Sequence, residues 1–147
     1  LSPTARLCVL GPKRACEWAR ARPERAYVAG VRRCAIGAVH GLADWRFEAL
    51  ATVAHGAHLL RHCWKAMLTL SLPRLRPCAG EFEPLTRFGD RELVQLVAAC
   101  RLFLPDAGLV LSTREPGPLR DGLLPLGITH ASARRPTGPG RHPGPRK

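Results

Sequence analysis

Apolar residues recur along this chain with two different periods. From Asp90 onward Leu93, Leu96, Val97, Cys100 and Leu104 fall on one face of a 3.6-residue repeat. This predicts a helix with Asp90 as its N-cap, stopped by Pro105 and Gly108. Gly108 to Ser112 is then a short apolar run, expected to be a strand buried on both faces. Upstream, Pro23 to Ala29 reads as a short helix ended by Gly30. Arg32 to Val39 reads as a strand in which Gly37 permits close backbone approach. Asp44 can cap a second helix, with Trp45, Ala49, Thr52, Val53, Gly56, Leu59, Leu60 and Cys63 on one side. Met67 to Leu72 is the next strand. A loop then runs to Gly89, a short helix spans Pro118 to Leu124, and a last strand runs from Ile128 to Ser132.

Helices alternating with apolar strands mean a parallel α/β fold. Strand centres near Ile36, Leu70, Val110 and His130 recur at about the interval of a (β/α)₈ barrel, in which ~250 residues are shared among eight units. Four units make about half of such a barrel. Ligands of these folds bind beyond the C-terminal ends of the strands. There this chain carries the polar cluster Ser112-Thr113-Arg114-Glu115.

Composition adds less. At 147 residues with 46% hydrophobic residues, one globular domain is expected. No apolar run approaches the ~18–20 residues of a membrane span, and no secretion signal is visible, so a cytoplasmic chain without a membrane partner is expected. The net charge of +12 comes mostly from arginine, without a nucleic-acid motif, so no specific nucleic-acid partner is expected. Residues 1–10 stay unassigned. Beyond Ala133 the chain turns to Arg, Pro and Gly, which predicts a disordered basic tail over 134–147. The abrupt change at Arg134 suggests a shifted reading frame.

The six cysteines, at 8, 16, 34, 63, 78 and 100, form no CxxC pair, and a reduced state is expected. His55, His58 and His62 share helical spacing, but without a paired cysteine motif a solvated helix face explains them better than a metal site. The carboxylate pairs Asp44/Glu48 and Glu81/Glu83 are explained by capping and loop solvation. No catalytic residue and no metal ligand is assigned.

LSTREPGPLRDGLLPLGITHASA, preceded by DRELVQLVAACRLFLPDAGLV, resembles the C-terminal part of the 2-iminoacetate synthases, the tyrosine lyases of thiamin thiazole biosynthesis. The resemblance continues upstream through GPKRACEWARARPERAYVAGVRRCAIGAVHGLADWR and WKAMLTLSLPRLRPCAGEFEP, covering about Gly11 to Ala133. Tyrosine and tryptophan lyases of neighbouring families share the STRE pattern; the GPKR to LADWR region leans towards the thiamin enzyme. The implied fold is α/β, a partial, about half, TIM-type (β/α) barrel of a radical S-adenosylmethionine enzyme. Residues 11–133 would then form the part called the biotin and thiamin synthesis-associated domain.

The implied activity is cleavage of L-tyrosine by a 5′-deoxyadenosyl radical to 2-iminoacetate and p-cresol. The implied cofactors are a [4Fe–4S] cluster and S-adenosylmethionine, and the implied protein partner is thiazole synthase. The CxxxCxxC cluster motif of such enzymes is absent from this sequence, so a non-catalytic remnant or interaction fragment is the alternative. By resemblance Arg114 would bind the tyrosine carboxylate, with the Ser132 hydroxyl beside it. A local ion pair with Glu115 or Asp121 is the competing role for Arg114. Arg74 and Arg76 would meet a carboxylate of substrate or cofactor, or else pair with Glu48 or Glu81. Ile36 and Gly37 would flank the adenosyl group, with strand packing as the competing role for Gly37. His40 and Ala131 depart from the family pattern.

Overall fold

The computed structural model describes residues 16–75, 86–112 and 114–131. Two short helices lead in, α1 (Cys16–Arg20) and α2 (Arg22–Val28), the second with Pro23 in its first turn. Then come β1 (Arg33–Gly37), α3 (Trp45–His62), β2 (Met67–Ser71), α4 (Asp90–Phe103), β3 (Gly108–Leu111), α5 (Gly117–Leu123), a 3₁₀ turn (Leu124–Leu126) and β4 (His130–Ala131). From α2 onward the order of helices and strands is the one expected from periodicity, with the strands shortened at their ends, while α1 and the 3₁₀ turn were not expected.

All four strands are parallel and adjacent in chain order, β1-β2-β3-β4. Each neighbouring pair is joined by a helical crossover, as parallel pairing requires. The register sets Ile36 opposite Leu70 and Leu70 opposite Leu109. One sheet face therefore carries Ile36, Leu68, Leu70, Leu72, Leu109 and Leu111. It packs on α3 and α4 through Trp45, Ala49, Leu93, Leu96, Val97 and Cys100.

The other face is different. Arg33, Ala35 and Gly37 of β1 are exposed there, and Thr69, Ser71 and Val110 are half-buried. This corrects the expectation that β3 is buried on both faces: Leu109 and Leu111 are buried, while Gly108 and Val110 between them are only half-buried. The described elements lie on one side of the sheet, so only that side is closed.

Two helix starts show how capping works here. Asp44 caps α3 as expected, its Oδ1 accepting from the Arg46 and Phe47 amides at 2.8 and 3.3 Å. At α4 the expectation is corrected: Gly89 is the N-cap and Asp90 the first helical residue. Glu92 Oε2 accepts from the Gly89 amide at 2.8 Å, the half of a capping box that needs no N-cap side chain. Asp90 is thereby left available for a partner outside its helix. Cys63, expected on the α3 face, is buried but forms the C-cap.

Candidate functional site

Parallel strands that begin on one edge finish together on the other. Here Gly37, Ser71, Leu111 and Ala131 end β1 to β4, and the chain beyond each end carries the polar residues singled out in the sequence. At this rim His40 and Arg74 form an isolated bridge: the His40 amide donates to Pro73 O, and the Leu75 amide donates to His40 O, both at 2.9 Å. The bridge extends the pairing of β1 and β2 past their regular ends.

Arg74 holds the rim together. Its side chain is 4% exposed, and that of Glu115 is 2% exposed. Nε donates to Glu115 Oε1 at 3.0 Å, and Nη2 donates to Glu115 Oε2, a bidentate fork. Nη1 donates to Asp90 Oδ1 at 2.8 Å, a carboxylate that is 64% exposed. Burial opposes the Arg74 charge, but hydrogen bonds and charge from Glu115 and Asp90 outweigh it, so the guanidinium pKa is raised. The partners weighed from sequence were Glu48 and Glu81; the partners found are Glu115 and Asp90. Three of the Arg74 nitrogens serve these protein carboxylates.

Glu115 is thus committed to Arg74 rather than to its neighbour Arg114. Arg114 is exposed on the turn after β3; its amide donates to Ser112 Oγ at 3.3 Å, and the Glu115 amide donates to Ser112 O at 3.2 Å. Among the described residues no ion pair engages the Arg114 side chain. The turn that carries it is fixed at one end by β3 and at the other by the buried Glu115.

Gly37 and Ile36, though adjacent, face opposite ways. Ile36 packs into the core against the helices. Gly37 lies on the open face, and a Cβ there would stand 2.2 Å from Ser71 O. β1 packs closely on β2 at Gly37, and the Ile36 side chain lies on the opposite, helix-covered face. Arg76 and Ser132 lie outside the described residues.

His40 is 1% exposed and stacks on Phe88 with ring centroids 4.7 Å apart, and among the described residues neither ring nitrogen has a hydrogen-bond partner. Burial lowers its pKa, so the ring is held neutral. Two of the three helical histidines, His58 and His62, pair with each other, His58 also meets α2, and His55 meets the backbone of Arg20 in α1. His58 Nε2 lies 2.5 Å from Glu24 Oε1, and His58 stacks on His62 at 4.1 Å. Among the described residues no group of three His, Cys, Asp or Glu side chains could hold a metal ion.

The sequence contained an unused sign of the Arg74–Glu115 pair. Arg74 stands three residues past the end of β2, and Glu115 four past the end of β3. Adjacent parallel strands bring such positions together. Pairing by proximity along the chain offered only Arg114 as a competing partner for Glu115 and overlooked this.

Residues 71–144, half of the chain, match the family model of the biotin and thiamin synthesis associated domain. The chain belongs to the biotin and thiamin synthesis associated family. The chain is 39% identical over 137 residues to the 2-iminoacetate synthase of Escherichia coli K12, covering 92% of this chain and 36% of that protein. It is 38% identical over 131 residues to the 2-iminoacetate synthase of Salmonella typhimurium, covering 88% and 35%. Among solved structures it matches the FeFe-hydrogenase maturase HydG from Carboxydothermus hydrogenoformans with a TM-score of 0.79 and 38% identity, over 95% of this chain and 33% of that one. A second HydG structure matches with a TM-score of 0.75 and 32% identity, over 84% and 28%. The domain thus spans about a third of the length of the relatives it matches. The partial α/β barrel expected from the sequence is the architecture found. No helix among the described residues is long and apolar enough to cross a membrane.

Proposed function

We propose that this domain supplies the amino-acid-binding rim of a radical S-adenosylmethionine lyase of the 2-iminoacetate synthase type, with L-tyrosine as its substrate. The observation that carries the reading is the state of Arg114. It is an exposed guanidinium beyond the C-terminal end of β3, on a turn anchored by a buried ion pair, in a chain 39% identical to a 2-iminoacetate synthase. Arg114 grips the substrate carboxylate through two parallel N–H bonds. From the sequence resemblance alone, Ser132 would supply a hydroxyl to the same carboxylate. The Arg74–Glu115 pair keeps the Arg114 turn in place and touches no substrate. Fixing the carboxylate fixes which hydrogen of the amino acid faces the oxidant, a matter of orientation.

The described residues do not fit a [4Fe–4S] cluster. Cys34 and Cys63 belong to one apolar cluster and Cys100 to another, with no set of three ligands. No step is therefore assigned to a cluster on these residues, and delivery of 2-iminoacetate to thiazole synthase is the accompanying partner proposal.

The test is ligand-observed NMR on the chain with L-tyrosine and with tyramine, which lacks the carboxylate. Saturation transfer to tyrosine that is lost in R114A and absent for tyramine supports the reading. Equal transfer to both ligands, or to tyrosine in both proteins, overturns carboxylate recognition by Arg114.

A further inference from the structure

Away from the rim, Cys34 and Cys63 line one small cavity together with Pro23, Leu59, Ala66 and Leu68. Its accessible volume of about 10 Å³ is at the lower limit for a single water molecule. The topology brings the two thiols there. Cys34 lies opposite Leu68 in the β1–β2 register, and Leu68 is packed in the same cluster as Cys63. The chain turns back to the sheet immediately after Cys63: the Ala66 amide donates to Cys63 O at 2.8 Å, and the Met67 amide to Arg32 O at 2.7 Å. Cys63 is the C-cap of α3, outside its regular turns. Both thiols are free in the structure.

We propose that Cys34 and Cys63 are a redox pair, closed to a disulfide by a low-molecular-weight disulfide oxidant such as oxidised glutathione. Cys34 is half-buried and is the thiol the oxidant meets first, while Cys63 is buried and its thiol is held protonated, chiefly by that burial. The Cys34 thiolate attacks one oxidant sulfur and releases one glutathione thiolate, leaving a mixed disulfide. The Cys63 sulfur, on losing its proton, attacks Cys34 Sγ and releases the second glutathione. Two protein thiols are oxidised, one glutathione disulfide is reduced to two thiols, and one protein S–S bond forms. The bond would tie β1 to the end of α3 across the cavity. Cys100 does not take part: it is fully buried in the other core cluster, and burial pushes its thiol up to about 11.

The test is a non-reducing tryptic map of the whole chain after incubation with oxidised glutathione and alkylation. Trypsin releases Cys34 in CAIGAVHGLADWR and Cys63 in HCWK. The expected product joins these two peptides, forms in a C8S/C16S/C78S chain as in the unmodified one, and drops several-fold when the chain is unfolded in urea before oxidation. Glutathione retained on Cys34 beside an alkylated Cys63 would overturn the proposal. So would cross-links in the folded chain that join either residue mainly to Cys8, Cys16 or Cys78, or equal Cys34–Cys63 yield with and without urea.

Discussion

Arg74 and Glu115 are 41 residues apart in the chain and form a buried, bidentate ion pair across the ends of β2 and β3. Removing one partner strands the other charge out of water, at a cost of about 3–5 kcal/mol. R74M and E115Q are each expected to lose that much in urea unfolding. The double variant R74M/E115M is expected to recover much of the loss, because neither charge then remains buried. D90N, whose carboxylate is mostly exposed, is expected to cost under ~1 kcal/mol. Equal losses for D90N and E115Q would contradict this division of roles.

His40 is a buried imidazole with neither nitrogen partnered among the described residues, so an apolar replacement should help. H40L is expected to stabilise the chain by about 1–3 kcal/mol, the cost of an unsatisfied buried polar group. The pH dependence has a definite sign. Burial lowers the folded pKa below the unfolded value of about 6.5, so the unfolded chain binds the proton more readily. The neutral ring costs no linkage energy above about pH 6.5, and stability falls as pH drops below it. Urea unfolding at several pH values is expected to show this decline, and H40L is expected to flatten it.

Gly37 and Gly122 separate close approach from mere presence of glycine. A Cβ on Gly37 would meet Ser71 O at 2.2 Å, whereas one on Gly122, within α5, meets nothing within 4 Å. G37A is expected to destabilise by several kcal/mol, since the obstacle is backbone in a paired strand. G122A is expected to be neutral or stabilising by up to ~1 kcal/mol through helix propensity. Thermal melts of the two variants check the contrast.

Arg101 closes the far end of the sheet. Its guanidinium donates to Pro105 O and Ala107 O at 2.8 and 3.0 Å, and to Gly127 O at 2.5 Å. Gly127 has φ of 106°, and a Cβ there would press on Arg101 at 2.7 Å. R101M keeps the apolar stem and loses three bonds to carbonyls. It is expected to cost about 2–4 kcal/mol, with amide exchange accelerating at Thr129 and its neighbours first.

Much of this fold was legible in the sequence because its signals are local. The i, i+3, i+4 spacing of Leu93, Leu96, Val97 and Cys100 depends only on helix geometry, and these four are the buried residues of α4. Asp44 announced its helix by side-chain chemistry. Asp90 misled because it resembles a cap, while Gly89 with Glu92 makes half of a capping box without a capping side chain. The Arg74–Glu115 pair was missed because it depends on which strands are neighbours, a long-range fact. The half-burial of Val110 was missed for a related reason: an apolar run records what a strand is built to face, whatever the described residues place against it. At the rim, Arg114 was correctly placed past a strand end, while the packing that occupies Arg74 could not be seen one residue at a time.

The central claim is that the turn carrying Arg114 recognises an amino-acid carboxylate, and the most direct measurement is saturation-transfer NMR of L-tyrosine against the unmodified chain, R114A and R114K. The expected result is transfer to tyrosine in the unmodified chain, weaker transfer in R114K, which keeps the charge but not the fork, and none in R114A, whose melting temperature stays unchanged. Undiminished transfer to tyrosine in a folded R114A would contradict the claim.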